Sequence, residues 1–150
     1  MLIDYKFDNF CSFNSESDFS MESAKGKVKS RYPDNYVSTE SGCDLLKTAV
    51  IAGENAGGKS NFIKSLSFLK SLFDSNSLVK SNGSFLNSAR LLIEKDPGQR
   101  FMVSFIGTNQ AVYEYELVID HDGICRESLS KRRSAKSRRS TVFAVFRNPD

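Results

Sequence analysis

The feature that most constrains this chain is an eight-residue segment, Gly53-Glu54-Asn55-Ala56-Gly57-Gly58-Lys59-Ser60, which fits the pattern G-x-x-x-x-G-K-[ST]. Such a segment has a defined setting, a strand that ends just before it and a helix that begins within it. Residues 45–52 (LLKTAVIA) form a short apolar run with β-branched content, which predicts a buried central strand. In residues 61–73 (NFIKSLSFLKSLF), Phe62, Leu66, Leu69 and Phe73 recur at helical spacing. Ile63 and Leu72 widen that stripe, while Lys64 and Lys70 fall outside it, which predicts an amphipathic helix. A glycine-rich turn that only joins strand to helix is the plainer alternative. The flanking elements favour a phosphate-binding loop.

The residue types suit that chemistry. A triphosphate needs several donors converging from one side. Backbone N–H groups from Gly53 through Gly58, including those of Glu54, Asn55 and Ala56, supply them if the chain curls around a phosphate. Gly53, Gly57 and Gly58 permit unusual dihedrals and close backbone approach. A helix starting near Lys59 points its N-terminal dipole and free amides at the anion. Lys59 would reach the terminal phosphates as a point charge. The Ser60 hydroxyl would ligate Mg²⁺, which takes few protein ligands and keeps phosphate oxygens and waters. These residues imply ATP or a related nucleoside triphosphate as ligand, with Mg²⁺.

The rest of the chain is rich in strand signals. Residues 2–10 alternate: Leu2, Asp4, Lys6 and Asp8 interleave with Ile3, Tyr5, Phe7 and Asn9, which predicts a first strand with one buried face. Residues 17–22 read as its hairpin partner. Residues 23–44 are polar, contain Pro33 and read as a long irregular connection. Asn76 and Asn82–Gly83 mark the end of the loop helix or the turn after it. Beyond it, residues 101–106, 112–119, 124–130 and 141–146 are β-rich, separated by turn signals at Gly107–Asn109 and Asp122–Gly123. They predict an antiparallel meander beside the loop unit.

Composition excludes several classes. The 150 residues are 39% hydrophobic and include twelve Phe, enough for a packed core. A net charge of +3 is too small to imply a nucleic-acid partner by itself. Cys11, Cys43 and Cys125 are odd in number and far apart, against a disulfide framework or a zinc site. A reduced cytoplasmic protein is the natural expectation. No signal peptide is visible, and no stretch approaches the roughly 20 apolar residues of a membrane helix.

The loop is of the form G-x-N-x-x-G-K-S-N, with Asn55 third and Asn61 after Ser60. In this it resembles the ABC-type ATPase heads of SMC proteins, DNA-repair ATPases and OLD-family nucleases. It resembles most the bacterial AAA family ATPases found in abortive-infection and phage-defence operons. Phe7-Asp8-Asn9-Phe10-Cys11-Ser12-Phe13 is similar to the family's opening strand, although Cys11 stands where the family often has Arg. Ser20-Met21-Glu22-Ser23, Phe101–Phe105, Tyr113–Leu117, Glu127-Ser128-Leu129 and Val145-Phe146-Arg147 follow the family's later motifs in order. The loop is the one highly specific motif among them.

The resemblance implies an α/β fold, the N-terminal lobe of an ABC-ATPase-like P-loop NTPase domain, over residues 1–150. Residues 1–73 would carry strand, connection, P-loop and helix, and 74–150 the antiparallel β subdomain. The nucleotide-binding set would be Gly53–Gly58, Lys59, Ser60 and Asn61. It also implies a second ATPase lobe or head as partner, sandwiching the nucleotide, and an effector nuclease encoded nearby.

No strand ending in Asp-Glu, no LSxGx signature and no switch histidine is found, so the lobe is expected to be incomplete at its C-terminus and no catalytic residue is assigned. Leu117-Val118-Ile119-Asp120 mimics the acidic strand, but its alternation with Glu114 and Glu116, and the Asp122-Gly123 that follows, indicate a hairpin strand. His121, the single histidine, reads as a solvated turn residue. The expectation is ATP binding with hydrolysis dependent on parts outside this chain. The alternative is a truncated, idle nucleotide-binding or interaction module that pairs with another chain. A small-molecule kinase is a third reading, and the strand-rich second half argues against it.

One biased segment remains. Residues 131–139 carry Lys131, Arg132, Arg133, Lys136, Arg138 and Arg139. A solvated hairpin loop is the bland reading. Contact with the phosphate backbone of DNA or RNA is the sharper one, and the absence of aromatic residues argues against base stacking. A nuclear-localisation signal is a further reading of such a run.

Overall fold

The computed structural model describes residues 1–24, 26–73, 98–120 and 122–148. Its frame is a six-stranded antiparallel sheet built from β1 (Leu2–Asp8), β2 (Ser17–Ser20), β5 (Gln99–Ile106), β6 (Val112–Asp120), β7 (Gly123–Arg132) and β8 (Ser140–Phe146). The strand order is β2-β1-β5-β6-β7-β8. The meander predicted from the turn signals is therefore present, and β1 pairs with its first strand, setting Tyr5 opposite Val103 and Phe7 opposite Phe101.

Period-two alternation gives this sheet two unlike faces. One carries Tyr5, Phe7, Phe101, Tyr115 and Leu117, all buried. The other carries charges in register. Glu116 accepts from Arg100 Nε at 2.9 Å and pairs with Arg126 Nη2 at 3.0 Å, so one carboxylate bridges cations from the strands on either side. Glu114 is paired with Arg132 at the end of β7 and with Arg139 in the turn before β8. The glutamates that alternate along β6 are thus held by arginines rather than left to solvent.

The helix α2 (Lys59–Phe73) covers the apolar face. Phe68 and Leu69 are buried on it, and Phe62, Leu66 and Leu72 pack around them. The rings interlock: Phe68 lies against Phe10 and Phe101 at centroid distances of 5.6 and 5.4 Å. Each such buried side chain stabilises the pair by about 1.5–3 kcal/mol. The buried stripe differs from the predicted one. Phe68 is inside, while Ile63 and Phe73 stay more than half exposed. The helix meets the sheet along its 62–65–66–69 side, and Ser65 fits there because its hydroxyl donates to the Phe62 carbonyl at 2.7 Å.

Two expectations are corrected. The first is the buried central strand at 45–52. Only Asp44–Leu46 is strand, and it pairs antiparallel with β3 (Tyr36–Ser38) as β4. Residues 47–52 are outside any strand and exposed, with Val50 at 87%, and the Lys47 amide donates to the Asn35 carbonyl at 2.9 Å. A buried parallel strand needs a neighbour on each edge. Among the described residues the sheet strands pair with one another, and none lies beside 47–52. Among the described residues, the α/β unit therefore consists of loop and helix on an antiparallel sheet, without a central parallel strand.

The second correction concerns 23–44, expected as an irregular connection. It holds a short helix α1 (Val28–Arg31), a 3-10 turn at Pro33–Asn35, and the β3–β4 hairpin. Thr39 closes that hairpin: its hydroxyl donates to the Cys43 carbonyl at 2.8 Å and accepts from the Cys43 amide at 3.2 Å. Leu45 and Cys43 then join Ile3, Ile106 and Val112 in a second, smaller core. The turn signals at Asn76 and Asn82–Gly83, and His121, lie outside the described residues. Among the described residues, no helix is long and apolar enough to cross a membrane.

Candidate functional site

The predicted phosphate loop is a curl that runs directly into α2. Its first turn is closed by the Gly57 amide donating to the Glu54 carbonyl at 3.1 Å. Ala56 then takes φ +64 and Gly58 φ +86, reversing the chain twice in three residues. Gly57 and Gly58 have steric reasons to be glycine. A Cβ on Gly57 would stand 3.0 Å from the Glu54 carbonyl oxygen, and one on Gly58 would meet the Phe13 ring at 3.0 Å. Gly53 has no such constraint, its nearest neighbour being 4.0 Å away. The left-handed residue that spacing alone did not reveal is Ala56, which pays a strain that glycine would avoid.

Lys59 folds back over the curl. Its ammonium donates to the carbonyls of Gly53 at 2.8 Å and Glu54 at 2.5 Å. The side chain thus bridges back to the start of the loop, and it would have to leave these carbonyls to meet an anion. Ser60 is exposed in the first helical turn, and the amides of this turn have no carbonyl one turn back inside the helix. The Gly58 carbonyl accepts from the Phe62 amide at 2.9 Å, fixing the loop to the helix start.

The connection between β1 and β2 braces the loop from the other side, which the sequence did not announce. Asn9 and Cys11 adopt φ of 51 and 50, so the chain doubles back and Phe10 pairs with Phe13 through two backbone bonds. That tight turn delivers Ser12 and Phe13 to the loop. Asn61 Nδ2 donates to Ser12 Oγ at 2.9 Å, giving the asparagine after Ser60 a positioning role. The only hint in the sequence was the FDNFCSF segment itself.

Beside the loop lies an open cavity of about 340 Å³ lined by Phe13, Phe19, Phe62, Ile51, Gly58 and Lys59. Asp18 also borders it, and its carboxylate is engaged by Lys6 at 3.5 Å. An aromatic-walled hollow beside a lysine has room for a flat apolar group next to an anionic one.

The acidic residue considered as a hydrolytic group is engaged elsewhere. Asp120 ends β6, which pairs antiparallel on both sides. Its carboxylate accepts from Arg147 and, at 2.8 Å, from Cys125 Sγ. The Arg147 bond holds its pKa far below the usual carboxylate range. Among the described residues there is no group of three or more His, Cys, Asp or Glu able to hold a metal ion.

The basic run lies across the β7–β8 turn, apart from the residues that form the loop site. Lys131 and Arg132 end β7, and Arg133, Lys136, Arg138 and Arg139 follow in the turn.

A curled phosphate-type loop capped by a helix, on an antiparallel sheet, defines the class to which such a chain is to be compared. Residues 49–149 match the family model described as "AAA domain, putative AbiEii toxin, Type IV TA system". The match covers well over half of the chain, and the chain belongs to this family of AAA domains. No curated protein and no solved structure matches it.

Proposed function

We propose that this chain binds ATP with Mg²⁺ through residues 53–61, as the N-terminal lobe of an ABC/OLD-like ATPase acting in phage defence or nucleic-acid surveillance. The observation that carries the reading is the loop geometry: two glycines at which a Cβ would crowd a neighbouring atom at 3.0 Å, and an ammonium resting on the carbonyls of Gly53 and Glu54. An ammonium held only by neutral carbonyls gains by moving to a phosphate, where the bond is charge-assisted on both sides.

The amides of residues 54–60 and the start of α2 would hold the phosphates, Lys59 would neutralise them, and Ser60 would offer its hydroxyl to Mg²⁺. Asn61, also in this set, is held in place by its bond to Ser12. The cavity walled by Phe13, Phe19 and Phe62 has the apolar character a base needs. The family's link to a type IV toxin–antitoxin system supports the defence setting. A second ATPase lobe or head, forming a dimer around the nucleotide, and an effector nuclease encoded nearby are the partners this reading calls for, in a cytoplasmic setting.

Binding is expected without efficient turnover by this chain alone. Orienting the attacking water needs a free acidic or amide group, and Asp120 is committed to Arg147 and Cys125. The same engagement favours the second reading, an idle module completed by another chain. Titrating a fluorescent ATP analogue while following phosphate release tests both. The account expects saturable binding, abolished in Lys59→Ala, with phosphate release near background. Rapid release that disappears in Lys59→Ala would contradict it.

A further inference from the structure

We propose that the crook of the β7–β8 turn is an anion site that grips the sugar–phosphate backbone of duplex nucleic acid. The turn is not a loose solvated loop. The Ala135 amide donates to the Ser41 carbonyl at 2.9 Å, and Ala135 packs on the small core of Ile3, Cys43, Leu45, Ile106 and Val112. Ser137 returns two bonds to Ser134, its amide and its hydroxyl both donating to the Ser134 carbonyl, at 3.1 and 3.0 Å. The Ser134 amide in turn donates to the Ser137 hydroxyl at 2.9 Å. A turn tied at these points presents its cations from a fixed base.

The cations divide into two sets. Arg132 and Arg139 are tied to Glu114, and Arg132 also donates to the Ala135 carbonyl at 2.9 Å, so these two shape the turn. Lys131, Arg133, Lys136 and Arg138 are exposed, and their charges have no ion pair among the described residues. Three of them, Lys131, Arg133 and Arg138, border one open cavity of about 710 Å³. Asn109, Gln110, Ser137 and Ser140 add neutral amide and hydroxyl groups to its wall, and Glu40 is the carboxylate at its edge.

Unpaired cations beside neutral donors suit phosphodiester oxygens, which take both kinds of contact. Among the described residues the lining holds no aromatic ring, so it offers no platform on which single-stranded bases could stack. It also holds no large apolar residue to insert into a bilayer, which separates it from a lipid surface. Recognition would follow the backbone charge and carry little sequence preference.

The test is fluorescence anisotropy of a labelled 20-base-pair DNA duplex on the full chain, at about 50 and 200 mM salt. Lys131→Gln/Arg133→Gln/Arg138→Gln is compared with Lys47→Gln/Lys64→Gln/Lys70→Gln, which removes equal charge from exposed positions elsewhere. Circular dichroism verifies that both remain folded. With three phosphates neutralised, the wild type should lose about 40-fold more affinity across that salt range than the crook variant does. The control variant and Lys59→Ala should keep the wild-type salt slope, which separates this site from the nucleotide loop. The proposal is overturned if the wild type shows no binding at the lower salt, if both triple variants lose the same slope, or if a single strand or an anionic vesicle binds more tightly than the duplex.

Discussion

At the residue scale, charge and backbone conformation decide most of what this protein can do. The identity and order of Gly57, Gly58, Lys59 and Ser60 were legible because their chemistry is local: a curl without Cβ atoms, then a cation, then a hydroxyl. The strained Ala56 and the brace from Ser12 and Phe13 were not. The brace depends on a contact between segments almost fifty residues apart, which no local pattern records. Arg147 is a similar case. It was read as the end of a family motif, yet its guanidinium fixes Asp120 at the far end of β6. Because the folded pKa of Asp120 lies below its ordinary 3.8, this pair contributes stability above about pH 4 that is lost as the carboxylate protonates on further acidification. Arg147→Gln should therefore melt at a lower temperature than the wild type near neutrality, with the gap narrowing below about pH 4 in circular dichroism melts. Asp8, whose pKa burial raises, works in the opposite direction. The difference between wild type and variant cancels its effect. A gap that widens with acidification would contradict the assignment.

At the element scale, the antiparallel strands were read well and the parallel one was not. Alternation, Gly107–Asn109 and Asp122–Gly123 determine a hairpin through its own residues and its immediate neighbour. An apolar run such as 45–52 has no such self-sufficiency. Its pairing depends on strands brought from elsewhere, and here it divides into the three-residue β4 and an exposed approach to the loop. The helix stripe was nearly right because periodicity gives the face, but the choice of Phe68 over Phe73 depends on where the sheet lies. Phe68 sits at the junction of Phe10 and Phe101 and is 6% exposed. Phe68→Ala should cost about 3–5 kcal/mol in urea unfolding monitored by circular dichroism. Phe73→Ala, at a position 61% exposed, should cost much less, and equal losses would show that the helix seats differently.

At the scale of the whole molecule, one sheet supports both proposed sites. Its apolar face seats α2 and so aims the helix start at the loop, while its polar face and far turn carry the paired and unpaired arginines. That division explains how a chain of modest net charge concentrates cations at one turn. It also leaves β8 exposed along its length as an edge strand. The central claim is that the curled loop from Gly53 to Gly58, with Lys59 and the first turn of α2, is a preformed seat for a magnesium-bound triphosphate. Isothermal titration calorimetry with Mg²⁺ and a non-hydrolysable ATP analogue, on folded wild type and Lys59→Ala, tests it most directly. The account predicts a saturable heat for the wild type that vanishes in the variant. A folded wild type that gives no saturable heat, or a variant that binds equally well, would contradict it.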